Sequence, residues 1–142
     1  MFNPSRQQVR SFFCETWRKF NAGQALIGAE VNAAEIIAEH PEYHALLVKP
    51  DAAMEAEWLP EGGQMNPFLH ISLHLAISEQ LAIDQPPGIR SIYQQLLAKH
   101  APHPALHCIL EALAEQVWEL QANQRAFDGN IYLARVREIS GL

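Results

Sequence analysis

The chain has 142 residues, 49% of them hydrophobic, and ten lysines and arginines against sixteen aspartates and glutamates give it a net charge of -6. This size and composition predict one domain over residues 1–142 with a single core, and the acidic balance without a basic run excludes typical nucleic-acid binding. Two cysteines far apart in the sequence, a polar N-terminus and the lack of an apolar run of about 18 residues predict a cytoplasmic protein with no membrane partner.

Helix caps and apolar residues at helical spacing recur along the whole chain, and no strand-like alternation occurs. The fold class is therefore all-α, a single-domain bundle of about five to six helices. The predicted helices run from Asn3-Pro4 to Gly23, over about 25–39, from Asn66-Pro67 to near Asp84, from Pro87 to about Lys99, from His103-Pro104 to about 121, and over 131–139.

Two segments interrupt this pattern. Residues 40–48, HPEYHALLV, are predicted as a short helix or a kinked continuation of the second helix, because Pro41 cannot donate a helical backbone hydrogen bond. Residues 49–65 hold two prolines and a Gly-Gly pair without sustained periodicity. We expect an irregular connection there, which could carry Trp58 as a lid, whereas Trp17 and Trp118 are expected in the core.

Histidine and glutamate occupy positions where a core helix normally carries apolar side chains. On the third predicted helix, His70 and His74 lie one turn apart, on the same face as large aliphatic residues. His107 and Glu111 repeat this spacing on the fifth predicted helix. We therefore expect all four side chains to be buried.

Two further anomalies belong to the second predicted helix and the segment after it. Glu30 shares an arc with alanine, leucine and isoleucine, so it is a carboxylate on the apolar side of its helix. The sequence HPEYH then supplies His40 and His44, again four residues apart. His44 would lie near the arc of Glu30 if this turn stays roughly helical.

Buried carboxylates and imidazoles must be paired, hydrogen-bonded or bound to a metal, because an unpaired buried charge is costly. Facing helices of a bundle can assemble such groups around one or two ions. The mixture of imidazole and carboxylate without thiolate fits iron, manganese or zinc, one or two ions per chain, and no organic cofactor is predicted. The predicted metal ligands are His40, His44, His70, His74, His107, Glu111 and Glu30.

Longer motifs resemble a known family. NPSRQQVRSFF, HPEYH and GQMNPFLHISLHLAISEQLAIDQPPGIR are similar to DUF1841, an uncharacterised proteobacterial domain of unknown function, and the similarity covers nearly the whole chain. That family has no established activity. The resemblance therefore implies the extent of the domain and little about a reaction.

A looser likeness concerns the ligand pairs alone. HxxxH and HxxxE on separate helices are similar to the ligand pairs of hemerythrin-like bundles, which hold two irons and bind oxygen. In that family HxxxE precedes HxxxH, and a histidine and an aspartate follow on the final helix, whereas this chain has the reverse order and no histidine after His107. The likeness implies a metal site in a bundle and not the oxygen-binding function.

Two functions remain open from the sequence. The first is a metal-binding protein, an oxidoreductase or a hydrolase, that acts on a small molecule or dioxygen, with Glu30 as a bridging ligand or proton acceptor. A zinc hydrolase would lack the usual HExxH signature. The second is a non-catalytic interaction module, binding another protein or a second copy of itself, in which the same side chains form a structural hydrogen-bond network.

Overall fold

The computed structural model describes residues 5–58 and 65–142, and these residues confirm the all-α class. Within those ranges the chain forms eight α-helices and one 3₁₀ helix, more than the five to six helices expected. No described helix is both long and apolar enough to cross a lipid bilayer. In chain order the elements are α1 (Arg6–Asn21), α2 (Ala29–Ala38), the 3₁₀ helix η1 (Pro41–Tyr43), α3 (His44–Leu47), α4 (Pro50–Glu55), α5 (Pro67–Ile83), α6 (Ile89–Leu97), α7 (Pro102–Asn123) and α8 (Gly129–Ser140).

The additional helices come from the two segments whose pattern was irregular. Residues 40–48 form η1 followed by α3, and the expected irregular connection over 49–65 contains α4. Pro50 occupies the first turn of α4, where its missing N–H would have no helical partner and its fixed φ suits a helix. A helix of six residues is too short to show periodicity in the sequence. Residues 59–64 of the predicted lid lie outside the described residues.

Local chemistry sets the helix ends. At α1, Ser5 and Gln8 form a reciprocal capping box, in which the Ser5 hydroxyl accepts from the Gln8 N–H at 3.1 Å. The predicted start at Asn3-Pro4 lies outside the described residues. α6 begins at Ile89, two residues later than predicted, because Gly88 has φ +102°, a left-handed conformation that cannot continue a right-handed helix.

The chain divides into two compact units, residues 1–75 and 76–142, and the expectation of one domain stays a prediction. In the first unit, α1 packs against α2, α3 and α4, and α5 contributes its N-terminal half. The aromatic side chains of α1 supply much of this core. Its buried members are Phe13, Cys14, Trp17, Ala33, Ile37, Leu47, Ala53, Phe68 and Ile71.

The second unit holds α6, α7 and α8, which pack pairwise on one another, and the C-terminal half of α5. Tyr132 of α8 is fully buried, and its hydroxyl donates to Gln80 Oε1 at 2.7 Å, so the buried phenol has a partner. The other buried side chains are apolar. They include Ile77, Ile89, Ile92, Leu96, Ala105, Ile109, Leu110, Leu113 and Val136.

The two tryptophans expected in the core differ. Trp17 is buried, but Trp118 is 60% exposed, so that expectation was wrong for Trp118. Helix α7 has 22 residues, whereas α6 and α8, which pack on it, have 9 and 12. The buried face of α7 is formed by Ala105, Ile109, Ala112 and Leu113, whereas Trp118 shares its side of the helix with exposed Glu111. The sequence therefore predicted the wrong face of α7 as the core-facing one.

Arg10 on α1 is a buried charged side chain, only 1% exposed. It links α1 to α4 by hydrogen bonds. Its guanidinium reaches the C-terminal end of α4, where carbonyl oxygens lack helical donors and the helix dipole favours a positive charge. One nitrogen, Nη1, donates to the carbonyl oxygens of Ala53 at 2.8 Å, Met54 at 3.2 Å and Ala56 at 2.8 Å. The sequence alone gives no sign of this contact.

We expect Arg10→Met to lower the free energy of unfolding by about 2–3 kcal/mol, because it leaves buried carbonyl oxygens without donors. Urea unfolding followed by circular dichroism measures this change. The matched control is Arg18→Met on the same helix, where an exposed guanidinium pairs with Glu15 and its removal should have little effect. Equal unfolding midpoints for the two variants would show that Arg10 does not fasten α4.

Candidate metal centre

His40 lies where α2 ends and η1 begins, and its orientation follows from that break in the chain. Pro41 prevents α2 from continuing, and its last turn tightens, so that the Glu39 N–H donates to the Ile36 carbonyl oxygen at 3.1 Å and the His40 N–H to that of Ile37 at 3.0 Å. His40 Nδ1 lies 2.7 Å from the carbonyl oxygen of Ile36. A carbonyl oxygen only accepts, so Nδ1 carries the hydrogen, and in the neutral ring Nε2 carries a lone pair.

The two histidines of α5 face this lone pair. Asn66 caps α5 by accepting from the Phe68 N–H at 2.8 Å, and this fixes the start of the helix that carries both rings. His70 Nε2 lies 3.2 Å from His40 Nε2 and 3.2 Å from His74 Nε2. The helical spacing places these two α5 imidazoles side by side, as the sequence predicted.

The three imidazoles form a cluster within the first unit, which we call the histidine cluster: His40, His70 and His74. One ring nitrogen from each lies within 4.8 Å of the others. His40 is 2% exposed and His74 is 4% exposed, while His70 is half-buried. Three ring nitrogens thus converge from two separate parts of the chain, the end of α2 and helix α5. Solvent can reach the cluster at His70, the half-buried member.

Tyr43 is a neighbour of the cluster that sequence reasoning missed. Its ring lies parallel to that of His40, with centroids 5.4 Å apart, and meets the edge of His70 at 5.9 Å. Burial, with a smaller contribution from the charge of Glu42, raises the pKa of Tyr43, so the phenol stays neutral at physiological pH. Its place inside HPEYH was the available signal.

His44 was predicted as a ligand, but the structure gives it other partners. Its Nε2 donates to the carbonyl oxygen of Ile37 at 2.8 Å, and its ring packs on Trp17 at 4.4 Å. Because Pro41 breaks the helix, the four-residue spacing of HPEYH does not place His40 and His44 on one face. Both rings instead satisfy carbonyl oxygens at the end of α2, and only His40 also faces α5.

Glu30 is likewise held elsewhere, although it is only 9% exposed as its position on the apolar arc suggested. Its carboxylate accepts from Lys19 Nζ at 2.9 Å and from the Ile27 N–H at 3.0 Å. These two bonds lower the pKa of Glu30 and keep it ionised. The Glu30 side chain therefore links the start of α2 to Lys19 of α1 and is not a member of the histidine cluster.

The remaining predicted ligands, His107 and Glu111, lie on α7 in the second unit. The ring of His107 packs edge-on against that of His103, with centroids 4.2 Å apart. Glu111 was expected to be buried and is exposed. Burial and the charge of Glu111 raise the pKa of the Cys108 thiol beside it. A ligand role for His107 or Glu111 stays a prediction from the sequence.

Comparison with known proteins gives a family and no activity. The model of a domain of unknown function, DUF1841, matches residues 5–138, so the chain belongs to this family. No curated protein and no solved structure matches the chain. All three histidines of the histidine cluster lie inside the matched range. The family match assigns no function to them, so the geometry of the cluster is the basis for a proposal.

We expect Glu30→Gln to lower the melting temperature at pH 7 and to leave metal content unchanged. The folded pKa of Glu30 lies below the ordinary 4.5, so its ionised form stabilises the fold above that value, and the contribution disappears as pH falls through the folded pKa. Thermal melts of both proteins from pH 7 to pH 2 measure the difference. A difference that persists at the acid end, or metal lost with the carboxylate, contradicts this assignment.

Proposed function

We propose that the protein binds one transition-metal ion through the Nε2 atoms of the histidine cluster, His40, His70 and His74. The observation that carries this proposal is the convergence of three ring nitrogens, with the His40 ring oriented by a bond from its other nitrogen. Histidine ligands of metals commonly donate their second N–H to a backbone carbonyl, as His40 does to Ile36.

The placement of the ring hydrogens is compatible with a metal ion in the cluster. A neutral imidazole carries one N–H, and that of His40 points to Ile36, so the Nε2 lone pair faces His70. His70 Nε2 lies 3.2 Å from the Nε2 atoms of both His40 and His74. A cation between the three nitrogens would use one lone pair from each ring.

The distances are close to those around a bound ion. Metal–nitrogen bonds of about 2.0–2.1 Å at the tetrahedral angle separate two ligand nitrogens by about 3.3–3.4 Å. His70 Nε2 lies 3.2 Å from His40 Nε2 and 3.2 Å from His74 Nε2, and the ligand nitrogens of the cluster all lie within 4.8 Å of one another. Movement of the rings towards one point would complete the site.

The ligand set narrows the choice of metal. Imidazole suits iron and zinc, whereas manganese prefers oxygen ligands, and the structure supplies no carboxylate to the cluster within the first unit's described residues. The three histidines of the first unit would fill three coordination positions, and the position that remains would be open in a catalytic site or filled by a further protein ligand in a structural one. His107 and Glu111 stay candidates for a further ligand.

The chemistry we propose is that of a small oxidoreductase or hydrolase. An iron or zinc ion with an open position supplies redox chemistry or Lewis acidity to a bound molecule. The alternative, an interaction module whose histidines form a purely structural network, requires the cluster to be satisfied without a metal. The convergence of three ring nitrogens, one of them on a half-buried side chain, is what favours the metal.

We expect tag-free protein to hold one ion per chain, and His70→Gln or His74→Gln to weaken binding at least about 100-fold. Gln keeps a polar side chain of similar size and removes the ring nitrogen. Plasma mass spectrometry after purification and competition with a coloured chelator measure content and affinity. Chelator should lower the melting temperature of the native chain, because binding stabilises the folded state alone, and leave that of each variant unchanged.

His44→Gln is the control. It should keep the metal and lose some stability, because the Ile37 carbonyl oxygen loses its side-chain donor and keeps only the His40 N–H. His107→Ala tests the further ligand that the sequence suggests. A native chain without stoichiometric metal, even after reconstitution with Fe²⁺ or Zn²⁺, would favour the interaction module.

A further inference from the structure

A cleft of about 480 Å³ lies beside the histidine cluster, within the first unit. Its size is in the usual range for small-molecule sites. It has a mixed lining, with one carboxylate and otherwise aromatic or apolar side chains. The lining residues are Glu42, Tyr43, Leu46, Trp58, Met65 and Pro67.

Tyr43 connects the cleft to the histidine cluster. One part of its side chain lines the cleft, while its ring also contacts the rings of His40 and His70. The cleft and the histidine cluster therefore share the Tyr43 side chain, and a molecule bound in the cleft would contact a direct neighbour of His40 and His70.

Two neighbouring side chains pack on Trp58, which lines the cleft. Arg10, whose guanidinium is fixed by carbonyl oxygens of α4, lies 5.4 Å from the centre of the Trp58 indole. The indole also packs edge-on against Phe68 at 6.0 Å. Arg10 covers part of the indole, so Trp58 serves as an apolar wall and not as a platform for a cationic ligand.

Glu42 is the lining residue that could pair with a charged group on a bound molecule. It is exposed, and among the described lining residues it alone carries a charge. A neutral phenol next to a carboxylate presents acceptor oxygens to a donor, and the remaining lining is apolar.

We propose that this cleft binds a protonated amine attached to an apolar body. The ammonium group pairs with Glu42 at the exposed rim, and the body lies against Leu46, Trp58 and Pro67. Binding stands on the cleft alone, whereas the role of this amine as the substrate of the metal centre rests on the proposed function.

Calorimetry with 3-phenylpropylamine on the full chain tests the proposal, with uncharged 3-phenylpropanol as the matched probe. The amine should bind several-fold more tightly than the alcohol. Glu42→Gln should weaken amine binding about two- to fivefold, the range for an exposed ion pair, and leave alcohol binding unchanged. Trp58→Leu should weaken both probes.

Glu35→Gln is the control, since it removes the same charge from an exposed position of α2 outside the cleft. Equal affinities for amine and alcohol, or equal losses in the Glu42 and Glu35 variants, would overturn the proposal. The exposed Glu42 variant is expected to fold, so the test does not depend on Trp58→Leu.

His74→Gln separates this inference from the metal proposal. If the cleft acts alone, this variant loses metal and still binds the amine. A native chain that holds metal but does not bind the amine rejects the cleft and leaves the metal centre intact. A chain that binds the amine but never holds metal rejects the metal centre and leaves the cleft proposal intact.

Discussion

The hydrogen bond from His40 Nδ1 to the Ile36 carbonyl oxygen is the interaction on which the histidine cluster depends. It forms at the end of α2, where Pro41 stops the helix and the Ile36 carbonyl oxygen also accepts from the Glu39 N–H at 3.1 Å. The bond adds a second donor at the helix end and fixes the tautomer of His40, so the lone pair on Nε2 faces α5. The way α2 ends thus orients a ring nitrogen of His40 towards His70.

The two histidines of HPEYH, His40 and His44, have similar hydrogen bonds but turn towards different parts of the first unit. Both donate to carbonyl oxygens of the last turn of α2, and both contact an aromatic ring. His44 turns towards Trp17 and has a structural role, whereas His40 turns towards α5. The intervening 3₁₀ helix sets this difference, because its tighter turn rotates the second ring away from the first.

Charged groups in the first unit stabilise contacts between helices and do not enter the cluster. Arg10 joins α4 to α1 through carbonyl oxygens, and Glu30 joins α2 to α1 through Lys19. Buried or nearly buried charge in this unit is therefore matched by a partner of opposite charge or by helix-end carbonyls.

The sequence by itself determined the all-α class, most helix positions and the juxtaposition of His70 with His74, because caps and i, i+4 spacing are properties of a single helix. Only the tertiary structure decided that His40 and not His44 joins them, that Glu30 pairs with Lys19, and that Trp118 is exposed. These outcomes depend on where separate elements end and which surfaces they cover. Helical phase contains no information about the lengths and contacts of neighbouring elements, so α4 and the role of Arg10 could not be predicted either.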